Sequence, residues 1–265
     1  MISHSCLIIA GSDSGAGAGL QADLKTFSAH NVYASTVVTA ITAQNTLGVN
    51  DVMTLPSSMI EAQLKAVSED FKVSIIKIGM LSNNRIIETV SLCLKKYFAE
   101  VPIILDPVMV AKGGHSLLDN NSIECLEKEL FPKSFLITPN LPETEKILKI
   151  KIKSKKNMED SISMFKKVKV KNVLIKGGHL TENKIIDLLL FEGKIYKFIS
   201  DKVNTLNTHG TGCTLASAIA CNLFKGFNLY DSVEKAREYV INCILNQRVV
   251  GKGHNPLNHF YKLFN

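Results

Sequence analysis

Short apolar runs that alternate with amphipathic segments constrain the fold of this chain more than any other feature. The pattern predicts strands at 6–11, 34–42, 73–80, 102–108, 135–140 and 172–178. It predicts helices at 20–31, 57–70, 83–97, 158–168, about 211–224 and about 229–249, and a hairpin at 185–200 that turns at Glu192-Gly193. Strands that alternate with helices favour an α/β fold with a mostly parallel sheet. Because no repeat or linker divides the sequence, we expect one domain over residues 1–265.

Charge and cysteine content narrow the class of protein. The formal net charge is +7, and the run 145–157 holds six lysines against one glutamate, with no aromatic residue. This run is typical of a solvated surface, and the missing aromatics argue against nucleic-acid binding. The six cysteines include no C-x-x-C pair, which favours free thiols in a reducing cytoplasm. No window has the ~20 apolar residues of a membrane span, and the N-terminus lacks a basic leader, so we expect no membrane partner.

The residues that follow the predicted strands are mostly small or polar. Ligands of open α/β sheets bind beyond the carboxyl ends of the strands. The segments at those ends are 11–13, 44–45, 79–80, 106–107, 140 and 176–178. Small and polar residues gathered on one rim of a sheet predict a ligand site there.

The first of these segments opens a glycine-rich loop, "GSDSGAGAGLQAD" at 11–23, between a strand and a helix. The loop lacks the G-x-G-x-x-G spacing of dinucleotide sites, because Leu20 stands at the third glycine position, and the chain has no P-loop pattern. Two interpretations stay open. The loop is either a tight turn or a backbone that a small ligand approaches closely, with Asp23 in the next helix as a polar anchor.

A second glycine pair precedes the predicted helix at about 211–224, in "NTHGTGCTLASAIA". Gly210 and Gly212 lack Cβ atoms, so their amides can point outward with the unpaired amides of the helix N-terminus. Such amides bind anions, and they suit a phosphoryl group in transfer. Cys213 falls in the first turn, where we expect the helix dipole to lower its pKa below about 8.5. The alternative is a glycine turn with Cys213 buried as a small apolar side chain.

Seven motifs in register give a family resemblance over essentially the whole chain. They are, in order, "AGSDSGAGAGLQADLKTFSA", "TAITAQNT", "KIGML", "LDPVM", "LITPNLPE", "KGGH" and "NTHGTGCTLASAIA". The chain resembles the hydroxymethylpyrimidine/phosphomethylpyrimidine kinases of thiamine biosynthesis, in the ribokinase-like superfamily. The resemblance implies a three-layer α/β/α fold with a central, mainly parallel sheet. It also implies ATP-dependent phosphorylation of 4-amino-5-hydroxymethyl-2-methylpyrimidine, then of its monophosphate to the diphosphate, with Mg²⁺ and a homodimer.

The resemblance assigns the substrate to one end of the rim. Gln44 is expected to bind the aminopyrimidine edge, because a side-chain amide offers both a donor and an acceptor. The other expected substrate contacts are Gly11, Asp23, Thr42, Met80 and Val108. For Met80 and Val108, a place in the apolar core is the alternative interpretation.

ATP and the metal are assigned to the other end of the rim. Lys176 is expected near the ATP phosphates, and Asn140 and Glu143 match an N-x-x-E element associated with magnesium and phosphate. Asp106 is expected to act beside the metal. The expected anion hole and base are Gly210, Thr211, Gly212 and Cys213, the last at the position of an aspartate base in many superfamily members. Taken singly, Asp106 and Asn140 could be turn residues, Glu143 a helix-terminal carboxylate and Lys176 an exposed lysine.

One departure from the family pattern and one segment bear on the site. Ala16 stands where relatives often carry glycine, and because Ala18 keeps the loop small we expect little cost. The glycine-rich segment 111–116 is the candidate for a flap that orders when ligands bind.

Three competing functions stay open. Some relatives with the same cysteine phosphorylate pyridoxal, although Gln44 favours the aminopyrimidine. A thiol hydrolase would need a histidine beside Cys213, and His209 and His179 are the candidates. A non-catalytic nucleotide-binding protein would not need the lysine, the glutamate and the glycine pair together.

Overall fold

A nine-stranded sheet runs through the centre of the molecule. The computed structural model describes residues 3–110, 114, 117–119, 121–178 and 183–263. The strands are β1 His4–Asp13, β2 Ala34–Asn45, β3 Gly48–Thr54, β4 Lys72–Ile78, β5 Ile103–Leu105, β6 Leu136–Ile137, β7 Val173–Ile175, β8 Lys184–Phe191 and β9 Lys194–Asp201. Their order across the sheet is β3-β2-β1-β4-β5-β6-β7-β8-β9. The chain therefore begins inside the sheet and builds outward to both edges.

The neighbouring strands from β2 to β7 are all parallel. The antiparallel strands β3, β8 and β9 form the two edges. The carboxyl ends of the parallel strands consequently open on one rim of the sheet. This rim is the one that the sequence predicts as the ligand site.

Helices cover both faces of the sheet. They are α1 Gly19–Ala29, α2 Ser57–Asp70, α3 Asn84–Tyr97, α4 Ser122–Glu129, α5 Leu141–Leu148, α6 Lys155–Met164, α7 Thr211–Phe224 and α8 Leu229–Leu245. Helices α2 to α6 pack on one face with Leu7 and Ile9 of β1, and α1, α7 and α8 pack on the other with Cys6 and Ile8. Alternate residues of β1 thus enter two separate cores, as in a strand buried on both faces. The expected three-layer α/β/α fold is confirmed.

The sequence pattern does not predict three of the elements. β3 is an edge strand of exposed and half-buried residues, so it lacks an apolar run. α4 and α5 have eight residues each, too few for a clear helical period. The hairpin turn at Glu192-Gly193 is confirmed, with φ values of +50° and +74°. Within the ranges given above, every helix is too short or too polar to cross a bilayer.

Candidate active site

Asp13, at the carboxyl end of β1, binds the backbone amides of the first glycine loop. Its carboxylate accepts hydrogen bonds from the amides of Gly15 (2.8 Å), Gly17 (3.0 Å) and Ala18 (2.8 Å). Burial alone raises the pKa of Asp13, but hydrogen bonds from His209, Ala18 and Gly15 outweigh it, so the pKa is lowered from its ordinary value. The carboxylate is therefore ionised at neutral pH. It occupies amides that an anionic ligand would otherwise use.

The same loop restricts residue size and backbone conformation. A Cβ on Gly17 would lie 2.2 Å from Cδ2 of His209. Ala16 has a left-handed φ of +55°, a conformation that costs a non-glycine residue roughly 1–2 kcal/mol. The expectation of little cost at Ala16 is therefore wrong, because it weighed side-chain size and not the backbone.

The N-terminus of α7 forms the second glycine turn. Gly210 has a φ of +82°, and a Cβ there would lie 1.9 Å from the carbonyl oxygen of Gly17, so only glycine fits. The Thr211 amide makes a long hydrogen bond of 3.4 Å within the turn. Among the described residues, the amides of Gly212 and Cys213 donate to no acceptor beyond the helix, and the first helical turn offers them none. These two amides are the ones available to an anion.

Gly212 lies against a buried ion pair that comes from the ends of β5 and β7. A Cβ on Gly212 would be 3.2 Å from Nζ of Lys176 and 3.5 Å from Oδ2 of Asp106. Lys176 Nζ donates to Oδ1 of Asp106 at 2.7 Å, and Oγ1 of Thr138 donates to the same oxygen at 3.0 Å. Burial alone lowers the pKa of Lys176, but Asp106 and Glu143 outweigh it, so the pKa is raised and the ammonium stays charged.

Asn140 and Glu143 form the N-terminal capping box of α5. Oδ1 of Asn140 accepts from the Glu143 amide at 2.9 Å, and Oε2 of Glu143 accepts from the Asn140 amide at 2.8 Å. Burial, with Asp106 adding to it and Lys176 opposing it, raises the pKa of Glu143 to about 7. The expected role of Glu143 as a metal ligand stays a prediction. Glu143 serves backbone amides, including that of Met109, which hold its carboxyl at the N-terminus of α5.

Among the described residues, Asp106 offers one carboxylate oxygen that fits a magnesium ion. Mg²⁺ commonly binds one or two carboxylates together with substrate phosphates and water. Among the described residues, no group of three His, Cys, Asp or Glu side chains is placed to hold a metal ion. The hydrogen bonds from Lys176 and Thr138 both go to Oδ1 of Asp106, whereas Oδ2 lies next to position 212. An ion that takes most of its ligands from ATP and water is compatible with that one oxygen.

Asp23 lies inside the molecule and not on the rim. It has no exposed surface, and its carboxylate accepts from Nζ of Lys77 at 2.6 Å and from Oγ of Ser217 at 2.8 Å. Burial alone lowers the pKa of Lys77, but Asp23 outweighs it, so the pKa is raised. The expected contact between Asp23 and the substrate is therefore replaced by a buried ion pair that ties α1 and α7 to β4.

Cys213 is half-buried in the first turn of α7. Burial raises the pKa of its thiol to about 12, although the Lys77 ammonium and the Gly19 amide oppose this. The expected lowering of this pKa by the helix dipole is wrong, because desolvation of the thiolate outweighs it. The thiol is protonated at neutral pH and is not poised to accept a proton.

The thiol-hydrolase alternative loses its support for two reasons. The Cys213 thiol is a weak nucleophile while it is protonated. Nε2 of His209 is hydrogen-bonded to Asp13 and Gln44, so it is not available as a base for the Cys213 thiol. The other candidate, His179, lies outside the described residues.

Thr42 and Gln44 meet at the carboxyl end of β2. Oγ1 of Thr42 donates to the Ser12 carbonyl at 2.9 Å and lies 3.1 Å from Oε1 of Gln44. Nε2 of Gln44 lies 3.1 Å from Nε2 of His209, which lies 3.0 Å from Oδ2 of Asp13. The sequence motifs do not single out Asp13 as an organising residue. The sequence signal for this role is an aspartate just before the glycines of a turn, because such a side chain commonly binds the backbone amides of the turn.

The remaining expected substrate contacts are Gly11, Met80 and Val108. A Cβ on Gly11 would lie 2.9 Å from Sδ of Met80, so glycine lets Met80 cover the end of β1. Met80 is buried and Val108 is half-buried, so Met80 also has the core role of its alternative interpretation. The proposed flap at 111–116 lies outside the described residues except for Gly114.

Most of the chain matches a family of known proteins. A family model described as phosphomethylpyrimidine kinase matches residues 13–258. The chain belongs to this family. The resemblance drawn from the seven motifs is thereby confirmed.

Individual relatives add detail to the family match. The hydroxymethylpyrimidine/phosphomethylpyrimidine kinase of Haemophilus influenzae is 42% identical over 261 residues, which cover 96% of this chain and 96% of that protein. The thiamine biosynthesis bifunctional protein ThiED of Geobacter sulfurreducens is 41% identical over 96% of this chain, and the match spans about half (52%) of that longer protein. The Bacillus subtilis pyridoxal kinase, solved as an ADP complex, matches with a TM-score of 0.90 at 31% identity, over 99% of both chains.

Proposed function

We propose that the protein is an ATP-dependent kinase that phosphorylates 4-amino-5-hydroxymethyl-2-methylpyrimidine and then its monophosphate, giving the diphosphate for thiamine biosynthesis. Residues 1–265 act as one kinase domain. The observation that carries the proposal is that Gly212 lies beside the Lys176–Asp106 pair. A Cβ on Gly212 would be 3.2 Å from Nζ of Lys176 and 3.5 Å from Oδ2 of Asp106. The open amides at the start of α7 therefore lie near a buried ammonium at the rim. Membership of the family supplies the reaction class.

Lys176 and the amides at the start of α7 are suited to neutralise the negative charge of a phosphoryl group in transfer. Phosphoryl transfer spreads negative charge over the oxygens of the moving group, so catalysis depends mainly on positioning and electrostatic stabilisation. The Lys176 ammonium would bind one of these oxygens, and the amides of Gly212 and Cys213 would bind another. A donor of this kind is worth about 2.7–4 kcal/mol in the transition state. The Lys176 side chain is only 14% exposed, so water competes little for it.

Cys213 would hold the substrate hydroxyl and would not deprotonate it at the outset. With a pKa of about 12, the thiol is a hydrogen-bond partner until the new P–O bond has largely formed. The hydroxyl becomes strongly acidic only at that late stage and would then release its proton to an oxygen of the transferred phosphate or to water, so an early base is not required.

Magnesium, when bound, would neutralise the charge on the phosphates of ATP. Asp106 would hold it through Oδ2 while Oδ1 keeps Lys176 in place at 2.7 Å. One carboxylate would thus serve both the metal and the Lys176 ammonium.

Pyridoxal kinase activity is the second candidate. The observation that favours it is the TM-score of 0.90 with the Bacillus subtilis pyridoxal kinase. The half-buried thiol of Cys213 could also add reversibly to an aldehyde. Against this, the identity to that kinase is 31%, compared with 42% to the Haemophilus influenzae pyrimidine kinase, and the Gln44 amide matches an aminopyrimidine edge.

Product analysis by mass spectrometry tests the proposal. The protein is incubated with ATP, Mg²⁺ and the unphosphorylated pyrimidine, and in parallel with pyridoxal. We expect the pyrimidine monophosphate first and the diphosphate later, neither of them without ATP. Pyridoxal phosphate as the main product would favour the second candidate. ADP release without any phosphorylated product, or no ADP at all, would contradict kinase activity.

We also propose that the protein works as a homodimer in the cytoplasm. Three exposed apolar side chains on the β2–β3 hairpin, Ile41, Leu47 and Met53, support self-association. All six cysteines are free, which suits a reducing compartment. Light scattering on the purified protein should give the mass of two chains, and the mass of one chain at micromolar concentration would contradict the dimer.

A further inference from the structure

His209 stands between the two glycine turns in a position that the proposed reaction does not explain. The residue is buried, directly precedes Gly210 and packs its ring on Gly17, where a Cβ would lie 2.2 Å from Cδ2. Its amide donates to the carbonyl of Asn255 at 3.3 Å. Backbone and ring are held from two sides, so the fold fixes the position of Nε2.

The partner of Nε2 determines where the imidazole proton lies. Oδ2 of Asp13 is 3.0 Å from Nε2 of His209, and both side chains are more than 90% buried. An ionised carboxylate has no hydrogen to give and only accepts hydrogen bonds. Nε2 must therefore carry a proton, because a bare nitrogen facing the carboxylate would place two acceptors together.

This proton decides the orientation of the Gln44 side chain. The oxygen and nitrogen of an amide exchange places by a half-turn, and the hydrogen-bond network decides between the two orientations. Nε2 has one hydrogen, which it shares between Oδ2 of Asp13 at 3.0 Å and the Gln44 atom at 3.1 Å. A protonated Nε2 has no free lone pair to accept a hydrogen bond, so the Gln44 atom that faces it must be the acceptor oxygen. The amide nitrogen then faces Oγ1 of Thr42 at 3.1 Å. That oxygen is able to accept, because its own hydrogen goes to the carbonyl of Ser12.

We propose that His209, kept protonated on Nε2 by Asp13, is a positioning residue that locks the amide of Gln44 in one orientation. The consequence for specificity rests on the proposed function, in which Gln44 binds the substrate ring. The locked amide keeps one N–H and one oxygen lone pair for a ligand. That pair matches a ring nitrogen beside an amino group, which is the edge of a 4-aminopyrimidine. A pyridine ring without an amino group offers only part of the match.

Steady-state kinetics on three variants test this role. His209→Leu removes the Nε2 donor, His209→Gln returns an N–H near the same place, and His4→Leu changes a histidine at the amino end of β1, away from the rim. His209→Leu should raise KM for the pyrimidine about tenfold, equivalent to about 1.4 kcal/mol, with KM for ATP unchanged. Its preference for the pyrimidine over pyridoxal should fall by a similar factor. His209→Gln should recover most of the loss, and His4→Leu should match the wild type.

A loss confined to kcat in His209→Leu, or equal increases of both KM values, would overturn the proposal. A ¹⁵N-edited NMR spectrum of the wild type tests the same claim without any turnover. The His209 ring should show its one-bond N–H coupling at Nε2, and a proton found at Nδ1 alone would overturn the lock. If the wild type does not phosphorylate the pyrimidine, the proposed function fails while the NMR result still decides the position of the proton.

Discussion

Replacing Gly212 by alanine is expected to remove most catalysis and to leave the fold stable. Gly212 lies in the first turn of α7 and is not among the glycines with a left-handed φ. Alanine is therefore compatible with the backbone and gains up to about 1 kcal/mol of helix propensity. The new Cβ would lie 3.2 Å from Nζ of Lys176, so the flexible lysine must shift by a few tenths of an ångström.

The size of the catalytic effect follows from what that shift disturbs. A methyl group beside the open amides and a displaced ammonium would weaken a donor contact to the moving phosphoryl group. Loss of one such donor corresponds to about 2.7–4 kcal/mol, or a fall of about 10²–10³-fold in kcat. KM for ATP should change far less, because the contact is made in the transition state. Coupled ADP-release kinetics measure both constants, and a thermal melt should show a Tm within about 4 °C of the wild type.

Gly226→Ala is the matched control. Gly226 follows α7 with a φ of +88°, and a Cβ there meets no heavy atom within 4 Å. Alanine should cost about 1–2 kcal/mol in backbone strain but leave kcat unchanged, which is the opposite outcome to Gly212→Ala. The reasoning is refuted if Gly212→Ala keeps kcat within about threefold of the wild type, or if its activity falls only in step with its unfolding.

Three further predictions follow from the buried groups. Burial raises the pKa of Glu143 from 4.5 to about 7, so the folded chain binds this proton more tightly than the unfolded chain does. Between pH 4.5 and 7, the free energy of unfolding of the wild type should therefore fall, relative to that of Glu143→Gln, by up to about 3 kcal/mol. Urea titrations without Mg²⁺ measure this, and parallel pH profiles would contradict it. Because the pKa of Cys213 is about 12, iodoacetamide at pH 8 should alkylate it at least about tenfold more slowly than a free cysteine peptide, as followed by mass spectrometry of digests. Lys77→Met should lower the free energy of unfolding by about 3–5 kcal/mol, since it leaves the buried Asp23 carboxylate unpaired. Adding Asp23→Leu to this variant should restore part of the loss. A double variant whose loss equals the sum of the two single losses would argue against the ion pair.

The fold was predictable from the sequence because its signals are local. The apolar run that starts at Cys6 marks a buried strand, and the helical periods of apolar residues mark α2 and α3. Asn83 also caps α3, whereas the serine expected to cap α2 is not its cap, because the N-cap position is Pro56. Gly210 was readable as a special position, since a glycine before an apolar helix predicts a turn. The edge strand β3 was not readable, because an exposed strand carries no apolar run.

The site was predictable in its location but not in the state of its groups. The motifs place Lys176, Asp106 and Gly212 at one rim, and the structure brings them together. The burial of Asp23 and the pKa of Cys213 depend on neighbours from distant segments, such as Lys77 on β4. A helix position indicates the direction of the dipole effect on a thiol, whereas desolvation depends on how the whole fold packs around it.

A crystal structure with ADP, magnesium and a metal-fluoride mimic of the moving phosphoryl group tests the central claim most directly. The fluorides should accept hydrogen bonds from the amides of Gly212 and Cys213 and from the Lys176 ammonium, at about 3 Å. A mimic bound away from the N-terminus of α7, with those amides paired to carbonyl groups of the protein, would contradict it.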